Sequence, residues 1–145
     1  MDDVRALSII IYSYAELLDL GDLQGCARLF TRAVLRVAGA DDALEGADAV
    51  REYLESTVQL YDGVPGTKHL VTNLIVDIDD DRRSATARSY YVAFQARPEL
   101  PLQPILAGRW HDRFERDADE WWLIERLIHP DLTGDIRFHI KGLSS

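Results

Sequence analysis

Four histidines, one cysteine and a scatter of serines are among the side chains here that could move a proton or form a covalent bond. His69 has the most patterned setting. It stands near the start of an extended segment, and strand alternation puts His69, Val71, Asn73 and Ile75 on one face, with Leu70, Thr72, Leu74 and Val76 on the other. An imidazole on such a face can take or give a proton near neutral pH. It can equally be a buried ring bonded to a backbone carbonyl, and the residues alone leave both open. His111 lies between Arg109 and Arg113, on the strand face opposite Trp110, which predicts a surface or subunit-contact position. His129 and His139 stand in the terminal region without metal-ligand spacing to His69 or His111, so no zinc or iron site is predicted. Cys26 follows a glycine inside a predicted helix with no base beside it and reads as a small buried hydrophobe. Ser13, Ser89 and Ser144 lack the G-x-S-x-G setting of an activated serine. No phosphate-cradling loop and no dinucleotide glycine pattern is present. Asp77, Asp79, Asp80 and Asp81 lack the spaced ligands and closing glutamate of a calcium loop, so they read as a solvated hairpin tip.

The elements that must position His69 can be read from periodicity. Val4, Leu7, Ile10, Ile11, Tyr14, Leu17 and Leu18 recur at three- and four-residue steps, predicting an amphipathic helix over residues 3 to 20. Gly21 closes it, and Asp22 can cap a short helix from Leu23 to Phe30. Val34 to Val37 reads as a short strand, 39–46 as a polar loop, and 48–60 as a third helix. The centre of the chain is a long antiparallel hairpin from Gly66 to Gln95, nearly unbroken in apolar and β-branched residues from Leu70 to Ile78. A proline-rich crossing, residues 97–104, is predicted to stay out of any ladder. Strands over 105–116 and 121–128 come next, the last ended by His129-Pro130. Ile136, Phe138 and Ile140 are placed to add an edge strand. Helices first and a meander after predict a single α+β domain. A bent sheet with helices across its concave face would enclose a pocket.

Composition excludes several functions. A net charge of −9, with Lys68 and Lys141 the only lysines, argues against a nucleic-acid or anionic-membrane partner. No run of about 18 apolar residues is present. The opening MDDV has no basic stretch, and the lone cysteine excludes an internal disulfide; together they predict a cytoplasmic protein without a secretory leader. Trp121 and Trp122 put one ring on each face of a strand, one for the core and one for a subunit contact.

Three segments carry a resemblance: YSYAELLDLGDLQGCARLF (12–30), TKHLVTNLIVDID (67–79) and AGRWHDRFERDADEWWLIER (107–126). In this order and spacing the chain resembles the SnoaL-like branch of the nuclear transport factor 2-like superfamily, from residue 3 to about 130, leaving a tail over 131–145. That branch includes scytalone dehydratase, polyketide cyclases and the β subunits of ring-hydroxylating dioxygenases. The resemblance implies a cone, in which a curved mixed sheet wraps a long N-terminal helix around a ligand cavity. It also implies a homodimer through the outer sheet face. It pairs His69 with Asp19 at the end of the first helix as a catalytic dyad that needs neither metal nor organic cofactor. Tyr14, Tyr91 and Trp110 become aromatic walls, with Gln95 and Asn73 as further substrate-binding residues. This sequence has Gln95 where scytalone dehydratase has a second histidine, and Leu18 where a tyrosine precedes the aspartate. The expected activity is dehydration, isomerisation or cyclisation of an apolar cyclic or aromatic small molecule. A non-catalytic small-molecule binder, and an assembly subunit like the dioxygenase β subunit, are the alternatives.

Overall fold

A computed structural model describes residues 2–143, so Ser144 lies outside the described residues. Helix α1 (Asp3–Leu20) starts where the Asp2 side chain accepts from the Arg5 N–H and buries Leu7, Ile11, Tyr14, Ala15 and Leu18, one stripe at helical spacing. Complete burial of Leu7 and Ile11 contributes roughly 1.5–3 kcal/mol each. Helix α2 (Leu23–Arg28), capped by Asp22, stops two residues before the expected Phe30. Strands β1 (Val34–Val37) and β2 (Leu44–Glu45) precede α3 (Gly46–Thr57). That helix starts and ends earlier than its apolar pattern indicates, because Val58 is already extended and bridges Ile140.

Four long strands follow: β3 (Thr67–Ile78), β4 (Ser84–Arg97), β5 (Leu100–Asp117) and β6 (Glu120–Thr133). The sheet order is β2-β1-β6-β5-β4-β3, antiparallel except for the parallel β1–β6 pair. The result is the curved, mixed α+β sheet expected, with α1 packed across it.

Four local expectations fail for identifiable reasons. Alternation along β3 breaks at a bulge between Thr72 and Ile75, where Asn73 takes a left-handed φ of 53°. Leu74 and Val76 therefore face inward, while Asn73 and Ile75 face out. The proline-rich segment does enter the ladder: Arg97 pairs with Leu100 and Phe94 with Pro104. It can do so because β6 pairing begins only at Leu106, leaving this stretch an edge where a missing N–H is tolerated. Strand β6 runs through His129-Pro130, since the register shift between Ala107 and Arg109 puts a bulge opposite the proline. Residues 136–140 form a turn rather than an edge strand, held over the end of α3.

Candidate active site

The last turn of α1 carries Asp19, and the helix stop just beyond it fixes its position. Gly21 adopts a left-handed φ of 80°, its N–H donates to the Leu18 carbonyl, and the Asp22 N–H donates to that of Leu17. A Cβ on Gly21 would lie 1.8 Å from the Gly63 carbonyl oxygen, so only glycine lets the helix end meet the turn leading into β3. This contact brings residues about fifty positions apart together. The His69 Nδ1–H donates to Asp19 Oδ1 at 2.6 Å, the His69 backbone N–H to Oδ2 at 2.7 Å, and the Thr67 hydroxyl to Oδ1 at 2.8 Å.

A carboxylate at a helix C-terminus faces the negative end of the dipole. Burial adds to this by favouring the neutral acid. The His69 ring and backbone N–H groups and the Thr67 hydroxyl outweigh burial and hold the carboxyl below its ordinary range. An ionised carboxylate can only accept, so Nδ1 carries the ring proton and Nε2 is the nitrogen left for chemistry. Only 5% of the His69 side chain and 10% of Asp19 are exposed.

His69 borders two spaces. One is a groove of about 410 Å³ between α1 and β3, which Asp19, Glu16 and Lys68 also line. The other is an apolar chamber of about 250 Å³ inside the cone, with Tyr14 and Leu18 from α1, Tyr53 from α3, and Tyr91 and Trp110 from the sheet. Tyr91 stacks on Trp110 with centroids 5.1 Å apart, and Tyr14 meets Trp110 edge-on at 5.3 Å. Burial pushes the Tyr91 hydroxyl up to about 12 and raises that of Tyr14 further, so both stay protonated donors. Gly108 makes the Tyr91 position possible: a Cβ there would sit 2.0 Å from the His129 carbonyl oxygen and 2.8 Å from the Tyr91 ring.

Of the residues expected at the site, His69, Asp19, Tyr14, Tyr91 and Trp110 are brought together. Asn73 is not; its side chain is exposed on the outer face because the bulge turns it over. Gln95 is fully buried, but it does not line the chamber. Its amide donates to the Pro65 and Phe138 carbonyls at 3.0 and 3.1 Å, tying the C-terminal turn to the sheet. Trp121 enters the core, and the Trp122 ring is covered by the Arg32 guanidinium at 3.8 Å. His111 stays exposed, edge-on to His129 at 5.0 Å.

Sequence reasoning missed two features. Arg126 and Asp112 form a buried two-pronged pair at 2.8 and 2.9 Å, with the guanidinium 3.9 Å above Trp110 and 4.6 Å from Tyr14. The available signal was a charged residue on the Trp110 face of β5. His139 was missed as well; it lines the chamber from the C-terminal turn, its ring centroid 6.2 Å from that of His69. No strand periodicity marks it. Among the described residues, no cluster of three or more His, Cys, Asp or Glu is placed to hold a metal ion.

Comparison with known proteins adds the family context. A candidate scytalone dehydratase from Novosphingobium aromaticivorans superposes with a TM-score of 0.73 at 23% identity, covering 92% of this chain and 87% of that one. ActVI-ORFA from Streptomyces coelicolor gives 0.70 at 20% identity, covering 88% and 96%. A nuclear transport factor 2-like protein with a cystatin-like fold, also from a Novosphingobium aromaticivorans strain, gives 0.73 at 19%, covering 89% and 82%. At these identities the likeness is one of fold. No curated protein matches in sequence. The SnoaL-like domain family matches residues 1–127, most of the chain, and the chain belongs to that family.

Proposed function

We propose that this protein is a cofactor-free acid–base enzyme that eliminates water from, or isomerises, a small cyclic carbonyl compound held in the cone. The observation that carries the reading is the 2.6 Å contact between His69 Nδ1 and Asp19 at the wall of an apolar chamber. With Nδ1 occupied, Nε2 can remove a proton from a carbon next to a carbonyl. The C–H electron pair becomes the new C=C bond, and Asp19 stabilises the imidazolium that forms. In an elimination, the imidazolium returns its proton to the departing hydroxyl, which leaves as water. In an isomerisation, the proton goes to a second carbon. The dyad supplies both roles from one ring, and the protonated Tyr14 and Tyr91 hydroxyls suit an oxygen-bearing substrate. A chamber of about 250 Å³ falls below the ~300–1,000 Å³ of sites for drug-sized ligands, which favours one or two rings over a polycycle.

The experiment is solvent exchange. A panel of cyclic ketones and β-hydroxyketones is incubated with the protein in D2O and followed by mass spectrometry. We expect deuterium uptake or loss of water for at least one member, and none with His69→Gln. Equal exchange by His69→Gln and the parent would discard the assignment.

A further inference from the structure

We propose that His139 is a second catalytic histidine, a neutral imidazole that contacts an oxygen of the substrate from the side of the chamber facing His69. The inference rests on the chamber being the place where the substrate binds. Three observations carry it.

His139 is only 4% exposed, lines the same chamber as His69, and its Nδ1 is closed off from water with no hydrogen-bond partner among the described residues. Buried polar nitrogens are nearly always paired. With Nδ1 shut away, the ring edge that lines the chamber is where a bound molecule can complete the imidazole's hydrogen bonding. Next, the two ring centroids are 6.2 Å apart, so an oxygen hydrogen-bonded to one ring at the usual ~2.8 Å lies within reach of the other.

Finally, the turn that carries His139 is built in place from several sides. The Gln59 N–H donates to the His139 carbonyl at 2.8 Å, and the Lys141 N–H to that of Thr57 at 2.8 Å. The carbonyl of Phe138 accepts from the Tyr61 hydroxyl at 2.6 Å and from the Gln95 amide at 3.1 Å. Gln95 thus acts through the turn rather than on the ligand. Such bracing fixes an imidazole more tightly than a free tail could.

The protonation state suits the role. Burial, with the neighbouring His69 adding to it, pulls the His139 ring down to about 4 against the opposing pull of Asp19. At neutral pH the ring therefore has one nitrogen that donates and one that accepts. With His69 taking the proton from carbon, His139 is placed to hold the substrate oxygen and to pass a proton to or from it. The sequence alone gave this residue no role, since it falls in the terminal region outside the segments that carry the family resemblance.

The test uses two probes of nearly equal shape, 4-nitrophenol and nitrobenzene, titrated into the full chain in weakly acidic buffer by calorimetry. We expect tighter binding of the phenol, and a drop of about tenfold in that preference in His139→Phe, with nitrobenzene affinity little changed. A preference that survives His139→Phe undiminished overturns the proposal and leaves the His69 reading standing. If the parent binds neither probe, the proposal falls, and the solvent-exchange experiment alone decides the His69 reading. Should the variant not fold, two-bond 1H–15N spectra of the parent decide. The His139 ring nitrogens should shift with 4-nitrophenol more than with nitrobenzene, and equal shifts overturn the proposal. A His139-dependent preference without exchange on any carbonyl compound would remove the enzyme reading and keep the contact.

Discussion

Asp112 and Asp19 are both buried carboxylates with a nitrogen partner, and the two pairs do different work. Asp112 and Arg126 meet through two parallel hydrogen bonds, with side chains 0% and 1% exposed and aromatic rings packed over the guanidinium. Asp19 and His69 meet through one ring contact, backed by the backbone N–H and a hydroxyl, and border both a groove and a chamber. The first pair contains a guanidinium that never gives up its proton in this setting. It can fix the positions of Trp110 and Tyr14, but it cannot move a proton. The second contains an imidazole, a ring that can both accept and give a proton, at the border of two open spaces. Burial of charge alone therefore does not mark a catalytic group; access and a titratable partner do.

The largest way to break this contrast is to remove one half of the sealed pair. Asp112→Ala should cost about 3–5 kcal/mol in urea unfolding, because it strands a guanidinium with no route to water. Adding Arg126→Met should recover most of that loss. If Asp112→Ala costs about the same as Asp19→Ala, the sealed pair is not sealed and the distinction fails.

A smaller effect separates the regions by pH. His139 is held neutral down to about 4, against an ordinary value of 6.5, with His69 and Asp19 the titratable groups beside it. Between those values the unfolded chain binds a proton that the folded chain refuses. Stability is then full above about 6.5 and falls by up to ~1.4 kcal/mol per pH unit below it, on the order of 3 kcal/mol in all. The Asp19 carboxyl is lowered from its ordinary 3.8, so its contribution is present above that value and is lost only at still lower pH. Urea series across this window should show the slope in the parent and a flatter one in His139→Phe. Identical slopes would mean the ring is already protonated in the fold.

The sequence made much of this legible because its signals were local and periodic. The apolar stripe of α1, the glycine at its end and the long hairpin are each written in neighbouring residues. His69 and Asp19 became a pair only through the family resemblance; nothing local links positions separated by fifty residues. Asn73 failed because a single bulge reverses every side chain beyond it, and bulges leave little trace in a sequence. Gln95 failed because its role depends on a turn over forty residues away. His139 and Arg126 were passed over for the same reason. Their neighbours come from other elements, so their chemistry is set by tertiary contact rather than by pattern.

Asp19→Asn should change stability least, by about 1–2 kcal/mol, and it gives the most direct measurement. Two-bond 1H–15N spectra of the His69 ring, recorded across neutral pH with the chamber filled by 4-nitrophenol, read which nitrogen holds the proton and which senses the ligand. In the parent, Nδ1 should carry the proton and Nε2 alone should shift with the probe; in Asp19→Asn the tautomer preference should be lost. A parent spectrum with the proton on Nε2, or with Nε2 blind to the probe, would contradict the assignment of His69 as the proton-transferring group.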